Sequence, residues 1–129
     1  EAMWTACGAL VSRMAPEQHD RIFSAVSHLP HVLAFVLVNA MSRRENAAEL
    51  FRFAAGGFRD FTRIAGSSPE MWRDIALANR DALLADIESY QEHLAQLAGM
   101  IASADAAGIE AVFSRARQAR EQWLRGVKT

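Results

Sequence analysis

An all-α fold, a helical bundle with a long C-terminal helical hairpin, is predicted by three observations. Leu83, Ile87, Tyr90, Leu94, Leu97 and Ile101 recur in alternating steps of four and three, and Ile109, Val112, Ala116, Ala119 and Trp123 repeat that rhythm. Helix-start signals stand at Pro16-Glu17, at Ser68-Pro69-Glu70 and at Asp105, where a small polar cap, a proline or a first-turn acid suits the donor-rich end of a helix. The one stretch that reads as extended, ALVSRM, has no second run to pair with, and a lone strand is not stable.

Taken in order, EAMWTACG predicts one or two helical turns stopped by Gly8, followed by the extended ALVSRM. This odd start reads as the edge of a preceding domain, so the expected organisation is a remnant over residues 1–15 and a helical domain over residues 16–129. From Pro16 a helix should run to about Arg43 with a kink near Pro30, because proline lacks the N–H its turn needs and crowds the carbonyl four residues back, that of Val26. No Asp, Glu, Lys or Arg lies between Arg21 and Arg43, a span long enough for a bilayer. The same stretch holds Ser24, Ser27, His28, Pro30, His31 and Asn39, which are costly in lipid, so a buried core helix, apolar on nearly all sides from Val32 to Val38, is the preferred reading.

Residues 44–56 read as a connection with a short helical piece, AAELFRF, ending at Gly56-Gly57. A short helix, FRDFTRIA, follows and stops at Gly66. A long helix is expected from Ser68 and a last one from Asp105, paired antiparallel across SADAAG. Seams of this density are more often ordinary bundle core than a dimer interface.

Composition narrows the function. The chain of 129 residues is one domain, 51% hydrophobic and 22% charged, hence globular and too short for a two-domain cofactor-dependent enzyme. Its 14 basic and 15 acidic residues are scattered and give a net charge of −1, which indicates no nucleic-acid stripe and no polybasic membrane patch. Cys7 is the single cysteine and cannot form an internal disulfide, and no signal-peptide pattern opens the sequence, so a cytoplasmic location is expected.

Candidate chemistry gathers in two places. In SHLPH, His28 and His31 are three residues apart and share one side of a helix, beside backbone polarity freed by Pro30. Three readings stand: core or interface histidines satisfied by carbonyls, a zinc site, or ligand recognition. The metal reading lacks nearby cysteines and a third ligand, so no metal is expected. In GGFRDFTRIAGSSPEMWRDI, Arg59 and Arg63 lie four apart on the face opposite Phe58 and Phe61, Asp60 can reach Arg63, and Gly56-Gly57 would let a backbone approach a ligand. A guanidinium fork grips carboxylates in bidentate fashion, yet a solvated face with a surface ion pair fits the same residues.

The combination of PEQHDRIFSAVSHLPHVLAFVLVN with GGFRDFTRIAGSSPEMWRDIALANR resembles the C-terminal domain of the prephenate dehydrogenase family, which includes the arogenate and cyclohexadienyl dehydrogenases. The resemblance covers most of the chain in the right order. It implies an intertwined homodimer and NAD(P)-dependent oxidative decarboxylation of prephenate or arogenate in tyrosine biosynthesis. It further implies that His31 lines the substrate pocket and that Arg63 binds a substrate carboxylate. Asp60 would pair with Arg63 and control access, with His28 beside it in support, and Trp72 and the Gly56-Gly57 segment, Gly57 included, would lie close to the pocket across the dimer. Tyrosine is implied as a possible inhibitor. The chain has no GxGxxG loop after a strand, and the family's catalytic histidine lies in the nucleotide-binding domain. No catalytic residue is therefore expected here, and NAD or NADP would be bound by that other domain. The alternative is a stand-alone helical ligand-sensing module without catalysis.

Overall fold

The computed structural model describes residues 1–126, and the chain divides into two compact units, Glu1–Ile87 and Glu88–Thr129. In the first unit, α1 (Ala2–Ala6) is closed by Gly8 at φ +81°, a left-handed conformation that favours glycine. Residues 9–15 have no regular structure, and no strand occurs among the described residues, so ALVSRM does not enter a sheet. Ala15, itself extended, delivers Pro16 to the first position of α2 (Pro16–Phe23) with Glu17 in the first turn.

The expected disturbance near Pro30 takes a defined form. α2 runs through a π-helical turn, Ser24–His28, directly into α3 (Leu29–Ser42). Val26, whose carbonyl the proline ring would crowd in a regular α-helix, lies in the middle of that wide turn. α3 packs against α4 (Ala47–Arg52), α5 (Gly56–Thr62) and a 3₁₀ turn, Arg63–Gly66. Two expectations change at this point. Gly56 and Gly57 do not form a loop between helices but open α5 as its first turn. And α3 is not wholly buried in this chain: only Ala34 is, while Val36 is 58% exposed. An apolar helix so thinly covered by its own chain retains surface for something else to cover.

Ser68 caps α6 (Pro69–Ala78), its Oγ accepting from the Met71 N–H at 3.3 Å, with Pro69 at the first position. The single long helix expected from there is in fact two, because Asn79 (φ −110°, ψ 36°) breaks the run before α7 (Arg80–Ala102). Its side chain is drawn off to bond other elements. Leu83 and Ser24 are buried, and the Ser24 hydroxyl donates to Asp86 Oδ2 at 2.5 Å, tying the π turn to α7.

In the second unit, the remainder of α7 turns at Ser103–Asp105 into α8 (Ala106–Gly126). Ala104 takes φ 53° in that turn, and Asp105 Oδ1 accepts from the Gly108 N–H at 2.9 Å, the capping role its position predicts. The two helices run past each other without close packing: a cleft of about 610 Å³ opens between them, bordered by Tyr90, Leu94, Leu97, Met100, Val112 and Phe113. The seam is therefore not a filled core within this chain, and Leu94 is 49% and Phe113 56% exposed.

Pro16–Ser42 is long enough, and apolar enough over part of its length, to cross a membrane by length and composition. Two of its polar side chains, however, are met by this chain's own residues, Ser24 by Asp86 and His28 by Asn79, as in a helix that packs against protein.

Candidate functional site

The π turn and the helix after it carry the two histidines, and each ring is held in a definite state. His31 Nδ1 lies 2.9 Å from the Ser27 carbonyl oxygen, which can only accept, so Nδ1 bears a proton and Nε2 is the acceptor whenever the ring is neutral. At His28 the polarity is reversed. Asn79 Nδ2 donates to the Asp20 carbonyl at 2.8 Å and lies 3.2 Å from His28 Nδ1. Because the Asp20 oxygen can only accept, the Asn79 atom facing it is the amide nitrogen, and His28 Nδ1 accepts from that same nitrogen. Its proton sits on Nε2. Burial holds the His28 imidazole below its ordinary value of 6.5, helped by His19 and His31 and opposed by Asp20.

Trp72 of α6 joins the pair. The His31 ring stacks on its indole at 3.6 Å between centroids, 17° from parallel, and His28 meets it edge-on at 6.2 Å and 75°. Trp72 Nε1 is buried and has no hydrogen-bond partner, so the cluster contains an unused donor. One flank of Trp72 borders a cleft of about 240 Å³ with Val32, Phe35, Val36, Pro69 and Arg73.

His28, His31 and Trp72 are thus brought together, and Asn79 is the member that the sequence reading missed. The signal was present as Asn79-Arg80-Asp81, a cap residue followed by a first-turn acid inside an apparently continuous helix. Gly57 borders a different hollow, about 370 Å³, with Met41, Leu50, Phe51, Phe53 and Phe58. Arg63 belongs to the 3₁₀ turn rather than to α5, since the helix tightens at Thr62 (φ −90°, ψ 0°). The regular four-residue register with Arg59 ends there. The expected Asp60–Arg63 ion pair is not formed, and among the described residues neither side chain makes a hydrogen bond or salt bridge. Phe58 is half-buried and Phe61 is 49% exposed, so the face opposite the arginines is only partly covered.

No three of His, Cys, Asp or Glu gather as a metal-ligand group among the described residues. Gly56 and Gly57 start a helix that follows another helix, not a strand whose end could present a pyrophosphate loop.

Residues 15–115 match the family described as "Prephenate dehydrogenase, dimerization domain". The chain belongs to the prephenate dehydrogenase family. It is 42% identical over 109 residues to the prephenate dehydrogenase of Bacillus subtilis, covering 84% of this chain and 29% of that protein. Against the cyclohexadienyl dehydrogenase of Zymomonas mobilis it is 36% identical over 119 residues, covering 91% of this chain and 41% of that protein. Among solved structures, the Aquifex aeolicus prephenate dehydrogenase, in complex with hydroxyphenyl propionate and NAD+, superposes with a TM-score of 0.86 at 37% identity, covering 94% of this chain and 43% of that one. The Synechocystis arogenate dehydrogenase superposes with a TM-score of 0.85 at 25% identity, covering 95% and 45%. The chain therefore spans less than half the length of these family members. The match over residues 15–115 contains the His28–His31–Trp72 cluster and the segment around Arg63.

Proposed function

We propose that this chain is the dimerisation and substrate-positioning domain of a prephenate or arogenate dehydrogenase, which performs NAD(P)-dependent oxidative decarboxylation in tyrosine biosynthesis. The single observation that carries the proposal is the family match over residues 15–115. On this reading the nicotinamide cofactor and the acid-base step belong to a separate nucleotide-binding domain, and the residues here supply orientation. His31 offers Nε2 on a ring held by Trp72 and Ser27. Arg63, with no ion-pair partner among the described residues, is ready for a substrate carboxylate as a bidentate fork, and Asp60 stands three residues away to compete for it. Trp72 and Gly57, which border different hollows in one chain, would be brought to a common pocket by a second copy. The cleft between α7 and α8 and the bare side of α3 are the surfaces that such a copy would cover. Tyrosine, with a related ring and carboxylate, would compete for the same groups, and the enzyme would be cytoplasmic.

The test joins this chain to the nucleotide-binding domain of the Bacillus subtilis relative and follows prephenate-dependent and arogenate-dependent reduction of NAD+ and NADP+. Turnover by the chimera, absent from this chain alone, is the expected result. Turnover by this chain alone would overturn the division of labour. A folded chimera that neither turns over nor binds hydroxyphenyl propionate would overturn the substrate assignment.

A further inference from the structure

Asn79 occupies the break between α6, which carries Trp72, and α7, whose Asp86 holds Ser24 of the π turn. From that break it reaches back to the Asp20 carbonyl and to His28 Nδ1, spending both hydrogens of one amide nitrogen on the helix that carries the histidines. An asparagine serving only to end a helix would need neither bond. We propose that Asn79 is a positioning residue of the substrate site: its amide keeps the proton of His28 on Nε2 and, through that ring, steadies the Trp72 indole on which His31 stacks.

The chain of contacts supports this order of action. His28 Nδ1 accepts from Asn79, the His28 ring meets the edge of Trp72 at 6.2 Å, and Trp72 stacks on His31 at 3.6 Å. Two histidines three residues apart are thereby held in opposite tautomers, His28 with a donor at Nε2 and His31 with an acceptor there. The titratable groups acting on His28 are His19, Asp20 and His31. His19 and Asp20 pair with each other at 3.2 Å, His31 Nδ1 is engaged by Ser27, and Arg80 pairs with Asp81 at 3.1 Å, so Asn79 is the group that meets His28 Nδ1.

The proposal rests on the reading that SHLPH borders the substrate pocket, and its test needs no substrate. Imidazole nitrogen NMR of this chain at neutral pH should show His28 protonated on Nε2 and His31 on Nδ1. Asn79→Asp is nearly isosteric but turns the donor into a carboxylate acceptor, so His28 should take a second proton about tenfold more readily, or better, with the His31 tautomer unchanged. Asn79→Ala should leave His28 a mixture of tautomers. A wild-type His28 carrying its proton on Nδ1 overturns the proposal outright, whether or not the variants fold. Folded variants with the wild-type His28 tautomer and titration overturn it as well. The expected spectra from a chain that fails the substrate test above would retire the pocket reading while leaving the Asn79 clamp in place.

Discussion

The His31 imidazole lies on the Trp72 indole with ring centroids 3.6 Å apart and planes 17° from parallel. The stack joins α3 to α6 across a stretch of chain in which few side chains are fully buried. Such pairs contribute about 0.5–1.5 kcal/mol beyond the area they cover. Trp72→Phe keeps a ring under His31 and removes the partnerless indole N–H, so a loss below about 1.5 kcal/mol is expected. Trp72→Ala removes the platform from both histidines and should cost more, about 2–3 kcal/mol, held below the usual core value because Trp72 is only half-buried. Urea unfolding of the two variants checks this, and equal losses would show that the ring contact contributes nothing.

His28 predicts the pH response. Folding lowers its proton affinity, chiefly by burial, so the unfolded chain binds more protons in the window below its ordinary value of 6.5. The stability tied to neutral His28 is complete above that value and is lost as pH falls through the lower folded one. The urea midpoint should therefore drop between about pH 7.5 and about pH 5.5, and His28→Gln should flatten part of that slope. An identical slope in the variant would assign the effect to another group.

Ser24 and Asp86 hold the π turn to α7. The Ser24 hydroxyl is fully buried and donates to Asp86 Oδ2 at 2.5 Å. Asp86→Ala strands that hydroxyl and should cost about 1–3 kcal/mol, whereas Ser24→Ala together with Asp86→Ala should cost less than the sum of the single changes. A double-mutant cycle in urea reads the coupling directly, and strict additivity would mean that the two do not interact.

The second unit predicts self-association. Leu94 and Phe113 border the open α7–α8 cleft and are about half exposed in the single chain. Sedimentation equilibrium at micromolar concentration should give twice the 14.2 kDa chain mass, and Phe113→Glu should shift the chain toward monomer. A wild-type monomer would remove the dimerisation role.

Much of this architecture was legible in the sequence because the signals were local. Pro16, Ser68-Pro69 and Asp105 start helices where caps and prolines say they should, and Gly8 stops one with a positive φ. The break at Asn79 had only the short local signal Asn79-Arg80-Asp81, and the partner that draws its side chain away, the Asp20 carbonyl, lies 59 residues off. The Asp60–Arg63 pairing failed for a related reason. A three-residue spacing promises a contact only while the helix stays regular, and here it tightens at Thr62. Burial of α3 was overstated because apolar character says that a face must be covered, not that its own chain covers it.

Arg63 bears on the proposed substrate site most directly. It lies in the 3₁₀ turn that packs on α3, the helix of His31, and its guanidinium has no ion-pair partner among the described residues. On the proposal above, this fork takes a substrate carboxylate, and charge-assisted hydrogen bonds of that kind contribute about 1.5–3 kcal/mol. In the chimera carrying a nucleotide-binding domain, Arg63→Ala should raise the KM for prephenate by about ten- to a hundredfold, with Arg63→Lys between, since lysine keeps the charge and loses the fork. The KM for the nicotinamide should barely move. Asp60→Ala removes a carboxylate three residues from Arg63 in the sequence, so substrate should bind as well or better. Steady-state kinetics on the three variants separates these effects. An Arg63→Ala enzyme with an unchanged KM for prephenate and a raised one for the nicotinamide would move the carboxylate site elsewhere.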